Sequence, residues 1–311
     1  MNNIFWGGKL TIPIKILINT NFLTSWLLGK NKNTPAMKHR IRLGYSGTYT
    51  NHVNLYDKTG GKHYSHIAEI LLNDIETKGK TILDVGCGTG IVSFLALEKG
   101  ASSILGIDLS RKMIKCCEKK VIDNNLDSTI IQFKQTDAES PIIKGSSFQV
   151  VLSSLMLGFI PNQLKVIQEI KRVLEPGGFV GISTHGPEHY WEACDATFRI
   201  IDKKIAIGYR VEFWPRNESE INSLFKKCNF KNIKTYRLKW KEQFDSPEKA
   251  YDFFAATSSS WWFNKFSTYN RRMKESRKIR AYFKLKGIKR ISMDIILAYG
   301  EKPIDKKANY A

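Results

Sequence analysis

Two kinds of hydrophobic spacing alternate along the chain from Tyr64 to Thr184. In "HYSHIAEILLNDI" the residues Ile67, Ile70, Leu71 and Ile75 recur on one helical face, which predicts an amphipathic helix. "TILDVG" is instead a short continuous apolar run and reads as a strand. It leads into a turn over Gly86 to Gly90 and then "IVSFLALEKG", a helix that Gly100 ends. The rhythm repeats with "SILGIDLS" as a strand and "RKMIKCCEKKVIDNN" as a helix N-capped by Ser110. "TIIQFKQTD" and "SFQVVLSS" are further strands, "NQLKVIQEIKRVLEPGG" is a helix with its stop signal, and "FVGIST" is a fifth strand. Short apolar strands alternating with helices indicate a parallel sheet covered on both faces. The expected class is α/β, a doubly wound, mostly parallel sheet of the Rossmann-like type, with its ligand beyond the carboxyl ends of the strands.

After the fifth strand the pattern changes. Residues 186–215 are rich in aromatics, including His189, Tyr190, Trp191 and Trp214, and "FWPRNES" marks a restart with Asn217 or Ser219 as the cap of the next helix. "FKNIKTYRLKW" and "MDIILAYGEKP" read as strands six and seven, the antiparallel edge of a seven-stranded sheet, with a helical insertion over roughly 245–290 between them. Three regions follow: an N-terminal arm and lid over 1–63, a ligand-binding core over 64–185, and the rest of the sheet with its insertions over 186–311.

Charge sharpens this division. Residues 1–80 carry 11 Lys/Arg against 4 Asp/Glu, residues 81–200 carry 12 against 13, and residues 201–311 carry 26 against 12. A neutral centre thus lies between basic flanks. The run "RRMKESRKIRAYFKLKGIKR", Arg271 to Arg290, has ten basic residues and one acidic, and reads as a solvated helix face, a membrane-surface patch or an RNA-binding surface. "LTIPIKILINTNFLTSWLLG", Leu10 to Gly29, is apolar but contains Lys15, whose charge at a bilayer centre costs roughly 2.5–3.5 kcal/mol. A packed arm and an interfacial segment are therefore the favoured readings of that stretch over a membrane span. The five cysteines have no CxxC spacing, so neither a disulfide framework nor a metal site is expected, and a reducing cytosol is the default compartment.

The candidate chemistry is concentrated in "TILDVGCGTG", Thr81 to Gly90. Gly86, Gly88 and Gly90 link a strand to a helix and are expected to leave backbone N–H groups open to a ligand. No Gly-Lys-Ser/Thr follows, which excludes a Walker loop, and the third glycine comes one residue early for GxGxxG. Asp84 beside this loop would repel a pyrophosphate but suit a positively charged ligand. Asp108, 18 residues after Gly90 at the end of the second strand, is placed to accept ribose hydroxyls. S-adenosylmethionine has a ribose and a positive charge and lacks phosphates.

"LDVGCGTG" and "GIDLSRKMI" resemble the first two motifs of class I S-adenosylmethionine-dependent methyltransferases. "QTDAES", "FQVVLSSLMLGFI" and "IKRVLEPGGFVGIST" resemble three later ones, so the likeness covers roughly residues 64–184 and is greatest to the small-molecule, quinone-biosynthesis-type group. The resemblance implies that Asp84, Gly86, Gly88 and Gly90 surround the methionyl part. It also implies that Asp108 holds the ribose, Leu109 lies against the adenine, and Asp137 and Ala138 meet its edge. Ser153 and Ser154 would line the side of methyl transfer.

Activity would then be methyl transfer to a small-molecule acceptor, apolar or lipid-like, with peripheral membrane contact as an accompanying expectation. The rival acceptor is RNA or another macromolecule, and a non-catalytic cofactor-binding protein is a third reading. His185 and His189, just after the fifth strand, are the candidate bases. Candidate acceptor-binding residues are Tyr45 and Tyr49 before the first core helix, Tyr190, Trp191 and Trp214 after the fifth strand, and Trp261 and Trp262 in the insertion. The aromatic stretch Tyr251 to Phe266 reads either as a core or as a pocket wall.

Overall fold

The computed structural model describes residues 53–160, 162–200, 217–259 and 269–304. In chain order these form α1 (Val53–Leu72), β1 (Thr81–Val85), α2 (Ile91–Glu98), β2 (Ser103–Asp108), α3 (Arg111–Asp123), β3 (Ile131–Gln135) and β4 (Phe148–Ser154). A single 3-10 turn (Leu157–Phe159) precedes α4 (Gln163–Val173), β5 (Leu174–His185), α5 (Trp191–Ile200), α6 (Glu218–Lys227) and β6 (Lys231–Gln243). Then come α7 (Pro247–Phe254), a π-helical turn (Ala255–Ser259), α8 (Tyr269–Lys286) and β7 (Arg290–Glu301).

The seven strands lie in the order β3-β2-β1-β4-β5-β7-β6. β1 pairs in parallel with β2 and β4, β2 with β3, and β4 with β5. The direction of β7 follows from its bonds: Gly177 and Gly178 exchange backbone bonds with Lys302, while Gly186 donates to Asp294, so one strand descends as the other rises. Asn232 meets Glu301 and Phe244 meets Lys289 in the same antiparallel sense. Because the order reverses on either side of β1 and β4, the carboxyl ends of β1, β2 and β4 are where a sheet of this kind opens a ligand crevice.

Two compact units share the chain, each over its described residues. One comprises Gly61–Thr184, Asn217–Arg237 and Ile296–Ala311; the other comprises Met1–Gly60, His185–Arg216 and Leu238–Ile295. The core of the first unit is built from strand residues such as Leu83, Ile107, Val151 and Ile182, packed against Val166, Ile167 and Ile170 of α4 and Ile221 and Phe225 of α6. α4 turns a strongly apolar stripe inward, as its spacing predicts, and Asn162 caps it by accepting the Lys165 N–H. Asn217 caps α6 in the same way through the Glu220 N–H. Ser110 departs from expectation: its hydroxyl makes no cap bond to α3, and its backbone N–H serves Asp108 instead.

The second unit has an aromatic and aliphatic core of its own. Tyr190, Tyr251, Phe253, Phe254, Ile279, Phe283, Ile291 and Met293 are all buried there, with Trp191 and Trp240 packed against them. Among the described residues, no helix is long and apolar enough to cross a membrane.

Candidate functional site

β1 ends in the apolar run Ile82, Leu83, Val85, and Asp84 stands inside it with only 1% of its surface exposed. A carboxylate in that position needs partners. Its Oδ2 accepts the Ser93 hydroxyl at 2.6 Å, while its Oδ1 has no hydrogen-bond partner among the described residues. Burial, with the neighbouring Asp108 charge adding to it, raises the Asp84 pKa to about 7 against the relief that Ser93 offers. Asp108, half-buried at the end of β2, is also raised by burial, although it accepts the Gly88 N–H at 3.0 Å and the Ser110 N–H at 2.8 Å. Two acids thus lie near each other in low dielectric with no cation between them among the described residues. Their arrangement favours a positively charged ligand.

The loop between β1 and α2 is shaped for close approach. Gly86, Gly88 and Gly90 have φ values of +74°, +55° and +86°, a region that costs other residues strain. Their surroundings differ sharply. A Cβ on Gly86 would sit 2.2 Å from Met156 Cγ and one on Gly90 would sit 2.7 Å from Phe94 Cε2, whereas a Cβ on Gly88 would meet nothing within 4 Å. Gly86 and Gly90 therefore pack against protein, and Gly88 opens onto space.

The loop N–H groups are not presented outward as the sequence suggests. Gly86 and Cys87 donate to the Ile107 carbonyl, Gly90 donates to Cys87, and Gly88 donates to Asp108. On the other side α3 holds the loop carbonyls: the Cys117 thiol donates to Gly88 O at 3.2 Å and Lys120 Nζ donates to Thr89 O at 2.8 Å. These bonds preorganise the loop, and its open feature is the bare Cα of Gly88.

The remaining sequence candidates sit on neighbouring strand ends. Leu109 follows Asp108, and its carbonyl accepts from Gln135 Nε2 at the end of β3. Asp137 Oδ1 accepts the Glu139 N–H at 2.9 Å, forming an Asx turn that holds the loop carrying Ala138. Ser153 at the end of β4 is buried and its Oγ has no partner among the described residues, while Ser154 pairs with Ser183 of β5 at 2.9 Å. Leu155, at φ +55°, turns the chain so that Met156 packs under Gly86.

His185 and His189 belong to the second unit. Their rings are 4.4 Å apart, edge to face, and both are buried. His189 Nδ1 lies 3.0 Å from the backbone N–H and 3.1 Å from the carbonyl oxygen of Asp294, so this nitrogen is engaged by the β7 backbone in either neutral tautomer. Asp294 also accepts from the backbones of Gly186 and Glu188, which folds the segment after β5 onto β7. Tyr190 is buried in the core and Trp191 is partly buried against it. Tyr45, Tyr49, Trp214, Trp261 and Trp262 lie outside the described residues.

Ser93, Met156, Lys120 and Gln135 were not singled out by sequence reasoning. Ser93 alone left a signal there, as a polar residue three positions past Gly90 in an otherwise apolar helix start.

With this geometry in place, comparison with known proteins becomes informative. Residues 83–182 match a family model described as a methyltransferase domain. The chain is 34% identical over 140 residues to the ubiquinone biosynthesis O-methyltransferase of Haemophilus ducreyi, covering 42% of this chain and 58% of that one. It is 31% identical over 146 residues to phthiotriol/phenolphthiotriol dimycocerosates methyltransferase 1 of Mycobacterium ulcerans, covering 46% and 48% respectively. The chain spans about half the length of the curated relatives it matches. A solved structure of Haemonchus contortus phosphoethanolamine N-methyltransferase 2, in complex with S-adenosyl-L-methionine, superposes with a TM-score of 0.55 at 19% identity over 85% of this chain and 60% of that one. This likeness establishes the shared fold.

Proposed function

We propose that this chain, whose centre is a methyltransferase domain, binds S-adenosyl-L-methionine at the ends of β1 and β2 and methylates a small, apolar or lipid-like acceptor. The observation that carries the reading is the buried Asp84 with its unsatisfied Oδ1, set beside Asp108 and the open Gly88. An ammonium group supplies the donor that Oδ1 lacks. Each Asp108 oxygen already accepts one N–H and retains capacity for a ribose hydroxyl. Gly88 lets the ligand lie against backbone, and Leu109, Ala138 and Asp137 are the residues assigned to the adenine.

When bound, this cofactor supplies an electrophilic methyl group on a sulfonium. The residues of the chain then hold and orient the two reactants, and alignment of bound partners is worth ~7–11 kcal/mol in favourable systems. Ser153 and Ser154 are assigned to the acceptor side. Where the acceptor must lose a proton, His185 and His189 are the residues assigned the base role; Nδ1 of His189 is engaged by the Asp294 backbone, which leaves its Nε2 for that task. Support for the acceptor class comes from the names of the two curated relatives, one of ubiquinone biosynthesis and one of phthiotriol/phenolphthiotriol dimycocerosates.

Calorimetry with S-adenosylmethionine and its demethylated product tests the cofactor reading; absence of affinity for both would end it. Incubation with cell extract and methyl-labelled cofactor tests the acceptor class. Label in an organic extract supports a small apolar acceptor, and label that pellets with nucleic acid refutes it. His185→Gln should lower turnover and leave cofactor affinity unchanged; an unaltered rate removes His185 from the base role.

A further inference from the structure

α8 presents a strongly basic face to solvent. At 3.6 residues per turn, Lys274, Lys278, Ala281 and Leu285 fall within about 60° of one another, with Arg277 and Lys284 along one edge. All six are exposed. The opposite face contributes Ile279 and Phe283, both fully buried, to the core of its unit. The helix is therefore anchored by one side and shows water a stripe with four cations, one small residue and one leucine that is 79% exposed. Along one edge of the stripe Asp252 pairs with Arg280 at 3.2 Å and Glu248 with Lys284 at 3.8 Å, and Glu275 is the acid of the helix itself. Lys286 and Lys289 extend the exposed basic surface past the end of the helix.

We propose that this face of α8 docks flat on an anionic lipid bilayer, with the lysines and arginine among the headgroups and Leu285 entering the acyl boundary. Charge selects an anionic partner, and the absence of aromatics from the stripe argues against a single-stranded polynucleotide. Binding to single-stranded nucleic acid uses aromatic faces for base stacking, and none of the six stripe residues is aromatic. Leu285, exposed among lysines, gives the stripe one apolar side chain that the acyl boundary of a bilayer can take up and a phosphate backbone cannot. Each cation near an anionic membrane surface strengthens binding by about fivefold. The stripe from Lys274 to Leu285 runs ~17 Å along the helix, long enough for all its cations to engage one surface together.

The test is co-sedimentation of the full chain with vesicles of phosphatidylcholine alone and with added phosphatidylglycerol. Binding is expected only to the anionic vesicles, with release at 1 M salt, where the screening length falls to ~3 Å. Lys274→Glu with Lys278→Glu should weaken partitioning roughly 25-fold or more. Leu285→Ser should weaken it several-fold while keeping the salt dependence. Both variants lie on the exposed face, so their melting temperatures and their affinity for S-adenosylmethionine should match the parent protein. Equal binding to neutral vesicles, or retention by the charge-reversed variant, would overturn the proposal. So would high-affinity retention on single-stranded RNA that Leu285→Ser leaves unchanged while the protein ignores anionic vesicles.

Discussion

Replacing Asp84 with asparagine should make the protein more stable and a poorer binder at once. In the folded protein the carboxyl is raised from 3.8 to about 7, chiefly by burial and secondarily by Asp108. A raised acid contributes its full stability below the unfolded value, and that contribution is lost as pH climbs through the folded value. Here the loss accumulates between about pH 4 and about pH 7. A shift of about three pH units corresponds to on the order of 4 kcal/mol at pH 8. Asparagine keeps an oxygen for the Ser93 hydroxyl but leaves an amide N–H without an acceptor, at a cost of about 1–3 kcal/mol. The expected net gain at pH 8 is about 1–3 kcal/mol, shrinking towards pH 5 as the wild-type carboxyl takes up its proton. Cofactor affinity should fall by more than tenfold, since a charge-assisted bond to the ligand is worth ~1.5–3 kcal/mol. Urea unfolding at pH 5 and pH 8, with calorimetric titration of S-adenosylmethionine, measures both quantities. A variant destabilised equally at both pH values, with wild-type affinity, would show that Asp84 is an ordinary structural aspartate and that the charge argument is wrong.

The two loop glycines should separate in the same assays. Gly88→Ala places its methyl in open space and pays only the positive-φ cost of about 1 kcal/mol, yet it should reduce cofactor binding sharply; an unchanged affinity would place the ligand elsewhere. Gly86→Ala adds to the same positive-φ cost a Cβ 2.2 Å from Met156 Cγ and should destabilise the fold by about 2–4 kcal/mol; a loss no greater than that of Gly88→Ala would mean that Met156 gives way freely. Ser93→Ala removes the bond that holds Asp84 down and should move the pH dependence of cofactor binding upward; a midpoint that does not move would show that Ser93 leaves Asp84 untouched.

The sheet and its helices were legible because their information is local. An apolar run such as "TILDV" or the 3.6-residue spacing of Val166, Ile167 and Ile170 specifies an element whatever surrounds it, and the antiparallel edge followed from the break in rhythm after His185. Asp84, Asp108 and the glycine turn were legible for a different reason: a carboxylate in a buried strand and three glycines in five residues make little sense without a ligand. What the residues do with their atoms was not legible. The loop N–H groups turn inward because the Ile107 carbonyl and the Asp108 carboxylate reach them first, and only the packing of β2 beside β1 sets that competition. Aromatic density near Tyr251 suits a core or a pocket equally; burial of Phe253 and Phe254 assigns those two to a core. Nδ1 of His189 is engaged by a backbone 105 residues away, a distance over which spacing along the chain carries no information. Sequence alone determined the elements and the type of ligand they suit, since both depend on neighbouring residues. Tertiary structure decided which donors are spent, which atom of Asp84 is left wanting and which glycine faces space, since each depends on contacts between distant strands.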